Sequence, residues 1–249
     1  MKKTLLIAAA ALAASVISSQ AQVYSQNIVG YVNQPLPAGF STIANPLDNS
    51  SGSSATNLFD TTSGNNDGSV LLTWTGSSFA QAVFDASKSS GFTDNGGVAT
   101  VTAPTLAPGK GFFFNNQAPN FTNTFVGTVH VDGAATGTNV VGLTTNVISS
   151  STTYVYIASK LPIAGGVSAV LGIQNTGPGF ILDGSIVLIP NIVGGAVAGY
   201  TQRVYDSTKG TGFTDNGGVA TQPEPIIPVA GGFFFSNQSG ADISWVQSL

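Results

Sequence analysis

The sequence contains no cysteine, a single histidine and few charged residues. Its 249 residues include seven Lys or Arg and eleven Asp or Glu, so charged residues make up 7% of the chain, against about 25% in an average globular domain. Without cysteine there is no disulfide and no thiolate metal site, and a lipid anchor attached to an N-terminal cysteine is excluded too. Nucleic acid is not an expected partner, because binding it requires clustered Lys and Arg that displace counterions.

The scarcity of catalytic groups also argues against an enzyme. A hydrolytic triad needs a base held beside a nucleophile, and the one histidine, His130, is expected to be an exposed strand or turn residue. Histidine-ligated zinc needs several such ligands. Paired carboxylates such as Asp85 with Asp94 could serve a glycosidase, but Asp is also the common residue at turns, where it caps backbone amides. The chain is therefore predicted to be non-catalytic.

The first 21 residues are predicted to form a signal peptide. Lys2 and Lys3 precede an apolar run of about a dozen residues, and small residues end the segment at Ala21. A membrane span would need roughly 20 apolar residues, and no such run follows. Cleavage after Ala21 would leave five cations against eleven acids. The predicted location is outside the cytoplasm, as a secreted, cell-surface or periplasmic protein of a bacterium.

The remaining residues are largely apolar or small and polar. Hydrophobic residues make up 42% of the chain, enough to form a core, while Ser, Thr, Asn, Gln and Gly must supply most of the surface. Such a neutral surface, rich in hydrogen-bonding groups, suits contact with glycans, with other proteins or with a polymer matrix. Self-association is also compatible with it.

An internal repeat organises the sequence. Residues 83–117 and 204–238 share 20 identities in 35 positions without a gap, and the nonapeptide FTDNGGVAT at 92–100 recurs unchanged at 213–221. Weaker similarity extends upstream, and Ile28–Val32 resembles Phe125–Val129. We therefore predict two homologous units, unit one at 22–122 and unit two at 123–249, each of ordinary domain size. Phe125–Val129 could close unit one, open unit two, or do both.

Within each unit the pattern predicts an all-β fold. Short β-branched or aromatic segments are bounded by Gly, Asn, Asp and Pro, and the two Asp-Asn-Gly-Gly sequences predict turns. Helix is expected only in short pieces at Ala55–Phe59 and Gly166–Ile173. The run Phe112–Phe114 puts rings on both faces of a strand, so that strand is either buried on both faces or packs the two units together. The expected architecture is two tandem small β-sandwiches or open barrels, with a single fused sandwich of pseudo-twofold symmetry as the alternative.

The order VGYVN, LPAGFSTIANPL, DGSVLLTW, GFTDNGG, PGKGFFF and TFVGTV resembles a secreted repeat family of Verrucomicrobia-type bacteria. The resemblance covers nearly all of unit one after the signal peptide and about half of unit two. It implies a secreted β-repeat protein without an established activity. Unit two departs from the pattern by carrying Pro190 at the position of Trp74 and Ala230-Gly231 at the position of Gly109-Lys110.

Two kinds of binding site can be proposed from residue types alone. Asp85 and Asp94, with their copies Asp206 and Asp215, carry hard oxygen ligands that suit calcium, although a structural turn is the favoured interpretation. Flat rings stack on the apolar faces of sugars, so candidate residues for a carbohydrate platform can be named. These are Trp74, Phe79 and Tyr31.

The sequence therefore favours a non-catalytic secreted structural or adhesive protein. A carbohydrate-binding module is the first alternative. An outer-membrane β-barrel is the second, suggested by the partly alternating C-terminal segment Ile243–Leu249, but the predicted strands are shorter than the 9–11 residues that a spanning strand needs.

Overall fold

Antiparallel strands make up almost all of the regular structure. A computed structural model describes residues 29–131, 143–150, 153–175 and 181–248, so the predicted signal peptide lies outside the described residues. The prediction of an all-β protein is confirmed. The elements of unit one are β1 (Val29–Leu36), β2 (Gly39–Ala44), α1 (Ala55–Leu58), β3 (Val70–Trp74), β4 (Phe79–Phe84), β5 (Phe92–Thr93), β6 (Gly111–Asn116) and β7 (Phe121–Thr128).

Unit two repeats this arrangement with longer and shorter connections. Its strands are β8 (Leu143–Ile148), β9 (Val155–Ala158), β10 (Gly165–Gly166), β11 (Ile186–Val193), β12 (Ala196–Tyr205), β13 (Phe213–Thr214), β14 (Ile226–Ile227), β15 (Gly232–Ser236) and β16 (Ile243–Ser248). A one-turn helix forms at α1 as expected, whereas the second predicted helix, Gly166–Ile173, is a turn that follows β10. None of the helices in the described part of the chain is long and apolar enough to cross a membrane.

Each unit consists of a five-stranded sheet covered by a two-stranded ribbon. The sheet of unit one has the order β2-β6-β3-β4-β5, and that of unit two has the matching order β9-β15-β11-β12-β13. The ribbons are β1 with β7 and β8 with β16. Side chains alternate between the two faces of each ribbon. Leu36 and Phe125 of the first ribbon therefore point into the core of unit one, and Ile148 and Trp245 of the second point into the core of unit two.

The ribbon of unit one corrects the predicted boundary between the units. Strand β7 pairs with β1 along its whole length, from Leu36 opposite Phe121 to Val29 opposite Thr128. Strand β7 therefore closes unit one, and the boundary at residues 122 and 123 is wrong. The similar segments Val29–Val32 and Phe125–Thr128 lie in antiparallel partner strands of one ribbon, and the counterpart of β1 in unit two is β8.

The three consecutive phenylalanines lie in the central part of each sheet and are buried on both faces. Phe112 and Phe114 belong to the core of unit one, whereas Phe113 points to the opposite face and meets Phe234 of unit two. Tyr156 stacks on Phe234 with ring centroids 4.3 Å apart. The sheets thus pack face to face, and the molecule has four layers in the order ribbon, sheet, sheet, ribbon. Each unit has its own core between its sheet and its ribbon, as expected of small sandwich units, and a third cluster lies between the two sheets.

Backbone contacts join the units in an approximately twofold manner. The amide of Ala44 donates to the carbonyl of Ala230 at 2.8 Å, and the amide of Ala158, at the matching position of unit two, donates to the carbonyl of Gly109 at 3.0 Å. Gly111 and its copy Gly232 approach so closely that a Cβ on Gly232 would lie 3.0 Å from the Cα of Gly111. Side chains at this point would separate the sheets.

Candidate functional site

Two of the three predicted sugar-stacking residues lie between the units. Trp74 packs against Phe79 and Phe234, with ring centroids 4.9 and 5.5 Å away. The indole Nε1 of Trp74 donates to the carbonyl of Tyr154 at 2.7 Å. Both rings are half-buried and pack against the cluster between the sheets, and sugar stacking by Trp74 and Phe79 stays a prediction. Tyr31 is different, since 71% of it is exposed.

The predicted calcium ligands Asp85 and Asp206 cap their own loops. An Oδ1 atom of Asp85 accepts hydrogen bonds from the amide and hydroxyl of Ser87, and Asp206 does the same with Thr208. The Ser87 hydroxyl lowers the pKa of Asp85, and the Thr208 hydroxyl lowers the pKa of Asp206. These bonds are what the turn interpretation expects.

Asp94 and Asp215 hold the repeated Asp-Asn-Gly-Gly turns. Asp94 Oδ1 accepts from the amide of Val98 at 2.9 Å, and Asp215 Oδ1 accepts from the amide of Val219 at 3.1 Å. These backbone hydrogen bonds are the largest cause of the lowered pKa of each carboxyl group. Within the described ranges, no group of three or more His, Asp or Glu residues is placed to hold a metal ion. Calcium binding stays a prediction.

The single histidine is paired with an acid rather than being a free strand residue. His130 follows β7, and its Nδ1 lies 2.6 Å from Oδ2 of Asp48. The backbone of Asp48 exchanges hydrogen bonds with Thr128, so the histidine side chain fastens the end of the ribbon to the loop after β2.

A polar cleft opens beside the ribbon of unit one. It has a volume of about 390 Å³ and lies between the loop that precedes β3 and the start of β7. We call it the asparagine cleft, after the amide side chains that line it: Asn65, Asn66, Asn120 and Asn123. Phe121 and Asp60 also contribute to its wall. No cationic side chain lines it.

Two of these asparagines are buried in the wall. Asn66 and Asn123 are 5% and 8% exposed. Asn66 Nδ2 donates to the carbonyl of Asp60 at 2.7 Å, whereas Nδ2 of Asn123 is the one buried side-chain nitrogen or oxygen of the described residues that has no hydrogen-bond partner. Leaving a buried donor unpaired costs about 1–3 kcal/mol, so a hydrogen-bonding partner for this nitrogen would be stabilising.

Unit two carries the buried apolar side chains of Leu182 and Trp245 at the positions that match Asn66 and Asn123. The carbonyls of Asn66 and Leu182 accept the same turn hydrogen bond, from Ser69 and Ser185 respectively. Trp245 of β16 matches Asn123 of β7 in the pairing of the ribbons. Asn123 lies opposite Gln34, two residues before the end of β1, and Trp245 lies opposite Asn146, two residues before the end of β8. The Trp245 indole is buried, and its Nε1 donates to the carbonyl of Leu171 at 2.5 Å.

Asp60 is anchored at the edge of the asparagine cleft. Its carboxylate accepts hydrogen bonds from the hydroxyl and amide of Ser63 and from the amide and hydroxyl of Thr62. The Ser63 hydroxyl is the largest cause that lowers the pKa of Asp60 to about 2, followed by the backbone amides of Thr62 and Ser63. The carboxylate orders the loop and stays ionised over the physiological range.

The outer faces of the ribbons carry exposed apolar side chains. Tyr31 and Val126 are direct cross-strand partners, and they are 71% and 53% exposed. On the ribbon of unit two, Val147 and Val246 are 61% and 47% exposed. The four-layer order places these two surfaces on opposite sides of the molecule.

Comparison of the chain with family models, with curated proteins and with solved structures gives no match. The resemblance to the verrucomicrobial repeat family therefore stays a prediction. The asparagine cleft was missed by sequence reasoning, which concentrated on residues that the two units share. A signal was present in the differences: Asp67-Gly68-Ser69 matches Asp183-Gly184-Ser185, and the preceding residue changes from Asn66 to Leu182.

Proposed function

We propose that this chain is a non-catalytic secreted protein that assembles into larger structures through its ribbons. The observation that carries the proposal is the exposed Tyr31–Val126 pair on the outermost layer of unit one. Exposed apolar side chains on a regular strand surface are typical of contact sites. The outer edges of such ribbons also carry unpaired backbone groups that can accept a further strand.

The second ribbon extends this argument to chains of molecules. Val147 and Val246 give unit two its own apolar outer face. Because the two faces lie on opposite sides and differ in sequence, contact between the first ribbon of one copy and the second ribbon of another leaves one ribbon of each copy free for a further copy. Such head-to-tail contacts generate rings or filaments. The low charge of the chain supports close packing, since there is little like-charge repulsion to oppose it.

The experiment measures the size of the mature protein by light scattering and sedimentation velocity over a range of concentrations. We expect association that increases with concentration and that is lost in the double variant Tyr31→Lys/Val126→Lys. Val98→Lys is the matched control, because Val98 is 80% exposed but lies in a loop. A wild-type protein that stays monomeric, or a control that dissociates as readily as the double variant, would contradict the proposal.

The non-catalytic part of the proposal has its own test. Hydrolysis of polysaccharide or peptide substrates by the purified chain, abolished by Asp85→Ala or Asp206→Ala, would overturn it. We expect no turnover, because each of these carboxylates is committed to hydrogen bonds within its own loop.

A further inference from the structure

We propose that the asparagine cleft binds one sugar residue, either free or within a glycan chain. This site is separate from the ribbon faces and involves none of the aromatic residues that the sequence suggested for carbohydrate binding. The inference starts from Asn123. Its side chain lies on the inner face of the ribbon, lines the cleft, and carries a buried amide nitrogen without a partner.

The amide of Asn123 can present either end to a ligand. Rotation about its terminal torsion exchanges the oxygen and the nitrogen, and this torsion is broad in energy. Among the described residues Nδ2 has no hydrogen-bond partner. A ligand that both donates and accepts hydrogen bonds would satisfy the group, and a hydroxyl does both.

The neighbouring residues narrow the ligand to a neutral polyhydroxylated ring. Asn65, Asn66 and Asn120 add further amides. Asn66 Nδ2 already donates to the carbonyl of Asp60 and Asn120 Oδ1 already accepts from the amide of Ala38, so Asn66 offers its oxygen and Asn120 its nitrogen. Phe121 is half-buried and offers an apolar ring surface beside them. The absence of Lys, Arg and His from the lining disfavours phosphate and carboxylate ligands. A volume of about 390 Å³ lies at the lower end of small-molecule sites, which span roughly 300–1,000 Å³.

Unit two provides the internal comparison. Leu182, Trp245 and Ile243 stand at the positions of Asn66, Asn123 and Phe121, and Trp245 fills the interior. Unit two therefore forms its sheet and ribbon without amides at the positions of Asn66 and Asn123, so folding does not explain why unit one has them there. A ligand that uses them does explain it, and it predicts one sugar site for each chain rather than two.

The test uses the mature full chain and methyl glycosides of glucose, galactose, mannose, xylose and N-acetylglucosamine. Saturation-transfer NMR detects binding, and titration of the ¹⁵N side-chain amides gives the Kd and the site. We expect at least one glycoside to bind and to shift the Asn123 side-chain resonances. Asn66→Leu and Asn123→Leu should each weaken binding by about tenfold or more, the equivalent of losing one good hydrogen bond.

Matched variants separate loss of the site from loss of the fold. Phe121→Ile introduces the residue of unit two, and it should weaken binding while the circular dichroism spectrum is unchanged. Asn95→Ala alters an exposed asparagine in a turn and should leave the Kd unchanged. If Asn66→Leu perturbs the fold, Phe121→Ile still decides the question.

Three outcomes would overturn the inference. The first is the absence of binding by every glycoside and by the corresponding disaccharides. The second is binding that shifts resonances elsewhere and is insensitive to the cleft variants. The third is binding of short neutral peptides, such as N-acetyl-Gly-Asn-amide, in place of the glycosides. None of these results depends on whether the ribbons assemble.

Discussion

Removing the ring of Phe234 should weaken the contact between the two units without opening either core. Phe234 is 5% exposed and belongs to the cluster between the sheets, whereas Phe233 and Phe235 lie in the core of unit two. Its ring stacks on Tyr156 and meets Trp74 edge-on, with centroids 4.3 and 5.5 Å away. The variant Phe234→Ala therefore loses contacts to both units at once.

The expected size of the effect follows from the burial. Replacing a buried Phe by Ala typically costs about 3–5 kcal/mol. In a chain of 150–250 residues, each kcal/mol lowers the unfolding midpoint by about 2–4 °C, so a decrease of roughly 6–20 °C is expected. Because the separate cores of the units remain filled, unfolding should also become less cooperative, with the units melting in two steps.

The assay combines calorimetry with tryptophan fluorescence. The chain has two tryptophans, one between the sheets at Trp74 and one in the core of unit two at Trp245. The variants Trp74→Phe and Trp245→Phe let each position report alone. In Phe234→Ala, the signal from Trp74 should change at a lower temperature than the signal from Trp245.

Phe235→Ala is the matched control, since it removes the same ring from the core of unit two. It should destabilise the region around Trp245 first, so the fluorescence of Trp245 should change at a lower temperature than that of Trp74, the reverse of the order expected for Phe234→Ala. The reasoning would be refuted if Phe234→Ala lowered the free energy of unfolding by less than about 1 kcal/mol, or if both tryptophans continued to report one transition. Either result would mean that the sheets do not depend on this ring for their contact.

Three further predictions concern backbone and charge. Ala230 has a φ of 55°, and its counterpart Gly109 has a φ of 87°. Ala230→Gly should raise the free energy of unfolding by up to about 1 kcal/mol. Gly109→Ala should lower it, because the added Cβ would lie 2.8 Å from Cγ of Lys160. Gly97→Ala should cost roughly 1–2 kcal/mol in urea unfolding because φ is 72° there, whereas Gly96→Ala, whose φ is not positive, should cost less. The pKa of Asp60 is lowered from 3.8 to about 2, so its contribution to stability is present above pH 3.8 and is lost as the pH falls through 2; Asp60→Asn should reduce that acid dependence, and carboxyl NMR titration should return the low pKa.

The repeated part of the sequence predicted structure most successfully. Alternation across Phe112–Phe114 requires rings on both faces of one strand, and the structure buries all three. The Asp-Asn-Gly-Gly segments predict turns because their residue types accept positive φ and cap amides, and Gly97 and Asp94 do so. These outcomes depend on local geometry, which a short sequence window contains.

Long-range pairing was harder to predict. The sequence allowed β7 either to close unit one or to open unit two, because its resemblance to β1 does not say which strand it pairs with. The structure pairs it with β1. The partners of Trp74 could not be known either, because a ring that packs between two sheets has the same residue type as one that faces solvent. The asparagine cleft depends on residues that are far apart in sequence and become neighbours only when the ribbon covers the sheet.

The paired backbone hydrogen bonds between the units have an evolutionary consequence. The amide of Ala44 donates to the carbonyl of Ala230, and the amide of Ala158 donates to the carbonyl of Gly109, so matching positions of the two units contact each other. A single unit could therefore have buried this surface by forming a symmetric homodimer. Joining two copies in one chain makes that association intramolecular and raises the effective concentration of the partner. Once the copies are tied together, symmetry no longer constrains them, and one can keep the polar amides of Asn66 and Asn123 while the other replaces them with a packed core.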